Sequence, residues 1–284
     1  MSMTSFLSKI KNFFTVPPFI ISRSSILSKG KNTKHLSSVI NKNIAGLVVS
    51  DFISEEVRKK LVIDLERLSD KLKTDTPFGR IYGKTLVGTG NQMSEYFVQS
   101  NLLNKQVIEI LKFDFRHKIE ALFEGNGSVQ LAKFEEGNYA IGTFRGFNPN
   151  CGGLHAHAEA EFMSYLPEFE GIRKNTDVGT AFNYLLILED AELGGELELY
   201  DLYWQDSPET LKGKYEFRNH YKFREDILQQ YRRQKINLRA GDLFLFNGVN
   251  IWHGVSEIRG KRTRKTFAGF IAKSTVNDDF VIYN

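Results

Sequence analysis

The hydrophobic period of this chain changes once, after Gly125-Asn126-Gly127, and that change constrains the fold more than any other feature. Before this point, apolar residues recur at helical spacing. After it, they alternate with a period of two, in short segments separated by turn signals such as Gly194-Gly195. Helices followed by many short strands predict an α+β chain whose β part is a sandwich or barrel, with the helices packed on one face.

The helical half contains two amphipathic stretches. One helix is expected to begin after Ser54, a good N-cap, and to present the apolar face Val57, Leu61, Leu65, Leu68 and Leu72. The second is expected over 102–123, with a long loop at 74–96 between them. The predicted β segments are 44–49, 128–134, 139–147, 155–163, 180–189, 195–201, 236–239, 242–247, 250–258, 264–273 and 278–283.

The element pattern predicts one folded domain over 44–284. In it, helices of 51–125 support a β core of 128–284, and a charged insertion at about 207–235 lies on the surface. A basic N-terminal arm, 1–43, precedes the domain. The first 50 residues contain seven Lys or Arg and no Asp or Glu. Such a leader is typical of an arm on an acidic body or of an organelle transit peptide, but Pro17 and Pro18 interrupt any long helix there.

Composition excludes several classes of protein. The net charge of +4 is too small to indicate nucleic-acid binding, and no apolar run approaches the roughly 18 residues that a membrane span needs. The single cysteine, Cys151, cannot form an intrachain disulfide or a cysteine-based zinc site, which favours a reducing, cytoplasmic location. Composition therefore predicts neither a nucleic-acid nor a membrane partner, while the oligomeric state stays open.

A run of ionisable residues interrupts the β half, where His155, His157, Glu159 and Glu161 alternate with small apolar residues. In a strand, every second side chain points to the same face, so the four are predicted to project together. Four such groups are costly to bury unless something neutralises or uses them. The alternative is a solvated polar face without a ligand role.

A second region lies more than ninety residues downstream. His253 follows the hydrophobic segment Leu243-Phe244-Leu245-Phe246 and a short loop. Arg264 and Thr266 open the next apolar segment, where an arginine is expensive unless it meets an anion. Alone, each residue has an ordinary structural explanation.

Together, these residues give His-x-Glu, a distant His and Arg-x-Thr. Two imidazoles and one carboxylate can occupy one face of an octahedral Fe(II) and leave three positions open. We predict that His157, Glu159 and His253 bind iron. Arg264 is predicted to hold the far carboxylate of 2-oxoglutarate bidentately, with a hydrogen bond from Thr266.

Four further polar residues have open roles. His155 could replace His157 as ligand, but the i, i+2 spacing of His157 and Glu159 fits one ion better. His155 and Glu161 are then expected at the pocket mouth or against substrate. Arg145 could bind a substrate or cosubstrate carboxylate, or form a surface salt bridge. Asn183 could hydrogen-bond 2-oxoglutarate or iron-bound oxygen, or cap the core.

The β half resembles the Fe(II)/2-oxoglutarate-dependent oxygenases, and within them it is most similar to the branch of the hapalindole-type indole-alkaloid halogenases. The resemblance rests on three stretches: His157-Ala158-Glu159-Ala160-Glu161-Phe162; Glu192 to Tyr200 with Trp204; and Ala240-Gly241-Asp242 through His253 to Arg264-Lys265-Thr266. It implies a double-stranded β-helix (jelly-roll) core with flanking helices. It also implies that His157 and His253 match the metal histidines and Arg264 the 2-oxoglutarate arginine. The halogenases have a glycine where this chain has Glu159.

The expected activity is therefore hydroxylation of an unactivated C–H bond in a small molecule. Fe(II) is the expected cofactor, and 2-oxoglutarate and O₂ are consumed to give succinate, CO₂ and the hydroxylated product. An amino-acid derivative or an alkaloid-like natural product is the expected substrate. The alternatives are halogenation, desaturation or cyclisation at the same site, and a cupin-like binding module without turnover. Glu159 favours hydroxylation over halogenation, because it supplies the carboxylate ligand that a halogenase lacks.

Overall fold

The computed structural model describes residues 21–25, 32–123, 127–135, 137–212 and 221–284. Lys9, Lys11, Lys29 and Lys31 of the predicted basic arm lie outside these residues, as does part of the predicted insertion. The α-helices are α1 Asn32–Ile40, α2 Glu55–Asp64, α3 Met93–Glu109, α4 Phe115–Phe123, α5 Ala160–Tyr165, α6 Glu170–Asn175 and α7 Tyr221–Leu228. Single 3₁₀ turns lie at Leu65–Arg67, Asp70–Leu72, Pro167–Phe169 and Trp204–Asp206.

The described strands form two main sheets. They are β1 Ile21–Ser25, β2 Gly46–Ser50, β3 Lys73–Thr76, β4 Gly79–Tyr82, β5 Val129–Leu131, β6 Lys133–Phe134, β7 Gly137–Asn138, β8 Thr143–Phe147, β9 Leu154–His157, β10 Thr176–Glu189, β11 Leu193–Gly194, β12 Leu197–Tyr203, β13 Arg233–Ile236, β14 Leu243–Phe246, β15 Ile251–Val255, β16 Ile258–Arg259, β17 Arg264–Ser274 and β18 Phe280–Tyr283. The large sheet runs β1-β2-β14-β10-β17-β8-β4-β3, with β18 on β17 and β5 on β18. The small sheet runs β13-β12-β15-β9.

The inner faces of the two sheets pack against each other. Leu185, Phe244 and Phe246 of the large sheet share one apolar cluster with Leu199 and Ile251 of the small sheet. Alternate residues of the same large-sheet strands point outward and pack under the helices. The predicted jelly-roll fold with helices on one face is confirmed.

The helix predicted from Ser54 is confirmed at its start and wrong at its end. The Ser54 side chain accepts a hydrogen bond from the Val57 amide, and α2 begins at Glu55. The helix stops at Asp64, because Ser69 starts a new turn and donates its amide to the Gln106 side chain at 2.9 Å. Leu61, Leu65, Leu68 and Leu72 are buried without a continuous helix, whereas Val57 of the predicted apolar face is exposed.

The helix predicted over 102–123 is two helices. α3 already begins at Met93, and the chain breaks at Lys112, whose φ is 53°. Asp114 then accepts the His117 amide at 3.2 Å and starts α4. The break places Phe113 and Phe115 in one aromatic cluster, which residues two apart on a single helix could not both reach. The predicted loop at 74–96 contains most of the hairpin β3–β4.

Two predicted boundaries are also wrong. Residues of the expected arm belong to the fold, because β1 pairs in parallel with β2 and α1 buries Leu36 and Val39. At the other boundary, the expected insertion of 207–235 includes the start of β13, which pairs with β12 in the small sheet. Within the described part of the chain, no helix is long and apolar enough to cross a membrane.

Candidate active site

The two predicted metal histidines lie on neighbouring strands of the small sheet. β9 pairs with β15 in antiparallel register, and His157 lies directly opposite His253. Side chains of residues opposite each other lie on the same face of a sheet, here the inner one. Gly254 permits the close approach of the strands, because a Cβ there would lie 2.8 Å from the Leu154 carbonyl oxygen. The ring centroids of the histidines are 4.4 Å apart.

Glu159 reaches the histidines from a turn. β9 ends at His157, and Glu159 has the helical backbone angles φ −68° and ψ −17° at the N-cap of α5. The loop after β14 fixes this turn, since the Ala160 amide donates to the Val249 carbonyl at 2.8 Å. The prediction that all four ionisable side chains project from one strand face is therefore wrong. The proximity of His157 and Glu159 comes from the turn.

The three side chains form a compact cluster. One potential ligand atom from each of His157, Glu159 and His253 lies within 4.8 Å of the others. Glu159 Oε1 is 3.3 Å from His253 Nε2 and 3.7 Å from His157 Nε2. The same oxygen accepts a 2.7 Å hydrogen bond from Asn183 Nδ2, a residue of β10 in the opposite sheet.

The environment keeps Glu159 ionised. Burial opposes its ionisation, but the charges and hydrogen bonds of His253 and His157 outweigh burial and hold the pKa of the carboxyl below its ordinary value. For His253, burial again opposes the charged form, and the Glu159 carboxylate raises the pKa of the imidazole overall. The cluster thus gathers a carboxylate and two imidazoles that an added cation would bind in competition with protons.

The donor set fits a divalent transition metal. Nδ1 of His157 contacts the His155 carbonyl oxygen at 2.8 Å, and Nδ1 of His253 contacts that of Ile251 at 2.9 Å. With Nδ1–H donated to a carbonyl, each Nε2 carries a lone pair available to a metal. Glu159 Oε2 is buried and has no hydrogen-bond partner among the described residues. Two imidazole nitrogens and a carboxylate oxygen suit Fe(II) and leave positions open.

A cavity of about 70 Å³ lies between the two sheets beside this cluster. It is lined by Arg145, Phe147, Leu154, His157, Glu159, Asn183, Tyr184, Leu185, Leu197, Phe246, His253, Val255, Arg264, Thr266 and Ala268. Seven of the nine predicted site residues are in this set; His155 and Glu161 are not. Apolar groups between the polar ones limit the access of water to the cluster.

Arg264 and Thr266 lie at the end of the cavity away from the histidines. Both are buried, on β17, and Thr266 is opposite Ile187 of β10. Burial lowers the pKa of the Arg264 guanidinium to about 10, against the opposing effect of Asp190. No carboxylate lies within salt-bridge distance of Arg264 in the described part of the chain. This arrangement is suited to an anionic ligand that completes the charge pair.

Arg145 is the second guanidinium of the cavity. It lies opposite Thr266 on β8, and its Nε contacts Thr143 Oγ1 at 3.4 Å. Burial lowers the pKa of the guanidinium, while Glu159 and Tyr184 raise it. The alternative of a surface salt bridge is not what the structure shows, because none of the ion pairs among the described residues includes Arg145.

The structure does not bring Glu161 and His155 to this cavity. Glu161 is 2% exposed and receives two hydrogen bonds from Arg224 of α7, the shorter at 2.6 Å. His155 contacts Glu225 of α7 at 2.9 Å and lines a separate cleft. Adjacent residues of α7 therefore bind the chain on both sides of His157 and Glu159.

Sequence reasoning missed the contributions of α7 and of the cavity wall. Phe246 packs edge-on against His253 with ring centroids 5.1 Å apart, and the alternation in Leu243–Phe246 could have placed it on the inner face. No sequence signal pointed to Arg224, because 63 residues separate it from Glu161.

Comparison with solved structures identifies the fold. The chain superposes on an N-substituted L-amino acid dioxygenase from Burkholderia ambifaria AMMD with a TM-score of 0.64 and 15% identity, over 89% of this chain and 91% of that chain. The structure of that enzyme in complex with alpha-KG gives a TM-score of 0.57, 14% identity and the same coverage. These likenesses show the fold. Together with the His-Glu-His cluster and a family model that matches residues 25–284, the fold defines the class as the Fe(II)/2-oxoglutarate-dependent oxygenases, whose cofactor and cosubstrates are Fe(II), 2-oxoglutarate and O₂.

The chain belongs to the family described as "Carrier-protein-independent halogenase WelO5", whose sequence model matches residues 25–284. This match confirms the resemblance to the halogenase branch. The chain is also similar to the L-isoleucine 3(1)-dioxygenase of Pantoea ananatis (strain AJ13355), with 28% identity over 201 residues. The match covers 66% of this chain and 65%, or less than two thirds, of the length of that relative.

The contact between Arg224 and Glu161 generates a prediction about stability. Arg224→Met leaves the buried Glu161 carboxylate without its guanidinium and should lower the free energy of unfolding by about 3 kcal/mol. Urea unfolding followed by circular dichroism measures the change. Lys59→Met, which breaks the exposed Lys59–Glu55 pair, is the matched control and should leave the midpoint nearly unchanged. Equal midpoints for the two variants would contradict a stabilising role of the buried pair.

Proposed function

We propose that this chain is an Fe(II)/2-oxoglutarate-dependent hydroxylase of a small molecule, an amino-acid derivative or an alkaloid-like natural product. The proposal is carried by the cluster of His157, Glu159 and His253 in a cavity whose far end holds Arg264, an arginine that forms no ion pair with the residues that the structure describes. The L-isoleucine dioxygenase among its relatives supports the oxygenation of an amino-acid side chain. When bound, the metal with its cosubstrates supplies the oxidising power for hydroxylation, while 2-oxoglutarate becomes succinate and CO₂.

The residues of the chain bind and orient the reactants. His157, Glu159 and His253 hold the metal, and Asn183 fixes the orientation of the Glu159 carboxylate by its hydrogen bond. Arg264 binds the distal carboxylate of 2-oxoglutarate, with a hydrogen bond from the Thr266 hydroxyl. Leu185, together with other apolar wall residues, excludes water from the reacting centre.

Halogenation at the same site is the second candidate function, because the matched family is described as a halogenase family. The resemblance implies a glycine at the position of Glu159 in these halogenases. Here a carboxylate occupies that position, ionised and hydrogen-bonded to Asn183. Its negative charge repels a halide within a few Å, and its oxygen takes the place where a halide would bind. We therefore favour hydroxylation.

The metal site can be tested by spectroscopy. Anaerobic addition of Fe(II) and 2-oxoglutarate should give a weak metal-to-ligand absorption band in the visible region. His157→Ala and His253→Ala should each abolish it, because each removes one nitrogen ligand. His155→Ala should retain the band, since His155 does not line the cavity. Full-strength bands in both His157→Ala and His253→Ala would refute the assignment.

A separate prediction concerns the binding of 2-oxoglutarate by Arg264. Removing one partner of a buried charge pair costs about 2–5 kcal/mol, so Arg264→Ala should raise the 2-oxoglutarate concentration for half-maximal succinate release at least about 30-fold. Arg262→Ala removes an exposed arginine two residues away and is the matched control. If both variants reach half-maximal succinate release at the same 2-oxoglutarate concentration, a group other than Arg264 binds the distal carboxylate.

The reaction outcome depends on Glu159. With the substrate identified by succinate release against a metabolite panel, turnover in high chloride or bromide should add one oxygen to the product, as read by mass spectrometry. Glu159→Gly should allow some halogenated product, because it removes the competing carboxylate. A halogenated main product from the unchanged protein would establish the second candidate function instead.

A further inference from the structure

The cavity beside the metal cluster holds two guanidiniums, Arg145 and Arg264, and 2-oxoglutarate has only one carboxylate to share between them. This inference rests on the proposed function, in which Arg264 binds the distal carboxylate and the other carboxylate of 2-oxoglutarate would be directed to the metal. Both arginines line the same cavity, and neither forms an ion pair with any residue that the structure describes. Arg264 is buried and Arg145 is partly buried. Removing a guanidinium from solvent without an anion is costly, so the function of Arg145 requires explanation.

The two arginines lie at different depths. Arg264, Thr266 and Ala268 follow one another on the inner face of β17. Thr266 lies opposite Ile187 of β10, and Ala268 lies opposite Leu185. Asn183, the contact of Glu159, is two residues nearer the metal cluster on β10 than Leu185. The backbone of Arg145 on β8 lies opposite Thr266. Its side-chain Nε contacts Thr143, whose backbone lies opposite Ala268. The Arg145 side chain therefore leans from the 2-oxoglutarate end toward the metal end.

The surrounding charges agree with this placement. Against the effect of burial, Glu159 of the metal cluster favours the charged form of Arg145, and Tyr184 contributes to the same effect. The charge that acts on Arg264 is that of Asp190, at the opposite end. Together with the contact of Arg145 Nε with Thr143, this indicates that the Arg145 side chain faces the end of the cavity that holds the His-Glu-His cluster, near which a substrate carbon would have to lie for oxidation.

The charge balance leaves one positive charge over. Fe(II) contributes two positive charges, Glu159 one negative, 2-oxoglutarate two negative and Arg264 one positive, so that set is neutral with neutral histidines. Arg145 adds one further positive charge to the same enclosed space. Among the residues that line the cavity, Glu159 is the only carboxylate. Asp190 acts on Arg264 from a neighbouring cleft and does not line this cavity, so an anion beside Arg145 would complete the charge balance of the cavity itself.

We infer that Arg145 binds the carboxylate of the organic substrate, and that the substrate is consequently a small carboxylic acid. A guanidinium binds a carboxylate bidentately, which fixes both its position and its orientation. Held there, the aliphatic part of the acid lies against the apolar wall formed by Leu154, Leu197 and Val255. A neutral alkaloid would leave Arg145 without a counterion.

Binding measurements test this inference without turnover. The anaerobic protein, loaded with Fe(II) and 2-oxoglutarate, is titrated calorimetrically with isovalerate, N-acetyl-L-leucine and L-isoleucine, each paired with its primary carboxamide. At least one acid should bind at least about tenfold more tightly than its carboxamide. Arg145→Gln should lower the affinity for that acid at least about 30-fold and should change the affinity for 2-oxoglutarate less than about twofold.

Two further variants control the experiment. Arg145→Lys keeps the charge and should retain part of the preference for the acid, and its 2-oxoglutarate binding shows that the site is folded. Arg259→Gln removes an exposed arginine and should bind acids as the unchanged protein does.

Several results would overturn the inference. One is equal binding of acids and carboxamides, or no binding of any acid in the set. Another is a fall in 2-oxoglutarate affinity in Arg145→Gln as large as that in Arg264→Ala, which would assign Arg145 to the cosubstrate. Failure of the unchanged protein to bind 2-oxoglutarate would instead refute the proposed function.

Discussion

The pairing of β9 with β15 is the contact on which the rest of the site depends. It places His157 opposite His253 and turns both side chains toward the large sheet. A slip of one residue in either strand would point one of the two imidazoles away from the cavity, because side chains alternate between the faces of a strand. The register is held by burial on both sides of β15, where Ile251 packs in the inter-sheet cluster and Trp252 packs in the outer one.

Around this pair, the fold concentrates charge where a folded chain normally excludes it. Glu159, Arg145 and Arg264 all line one narrow space between two apolar sheets. Their burial is costly, and the aromatic packing on the other face of the large sheet helps to offset that cost. Phe267, for example, is fully buried among Phe113, Phe115 and other rings. The large sheet thus has one face specialised for stability and the other for ligands.

The segment that carries the proposed ligands His157 and Glu159 is short, and α7 holds it from outside the cavity. Arg224 binds Glu161 and stacks its guanidinium over the Trp252 ring at 5.7 Å, while the next residue, Glu225, contacts His155. His157 and Glu159 lie between these two contacts in the chain. Polar side chains that flank the proposed ligands therefore stabilise the segment, whereas those at the centre are directed inward. This division of roles explains why a run of four ionisable residues can be accommodated in and around so small a site.

The sequence by itself determined the class of fold, the residue types of the candidate active site and their order along the chain. The change of hydrophobic period distinguished the helical part from the β part, and the cost of an arginine in an apolar strand singled out Arg264 and Arg145. The roles of these residues stay predictions until they are measured. Only the tertiary structure decided that Glu159 lies in a turn, that Glu161 binds Arg224 and that Arg145 and Arg264 line one cavity. Each of these features is set by contacts between segments far apart in sequence, such as the Ala160 amide with the Val249 carbonyl. Local periodicity records which face of an element is apolar, but it does not record which distant backbone group will end that element or which charge will meet its side chains.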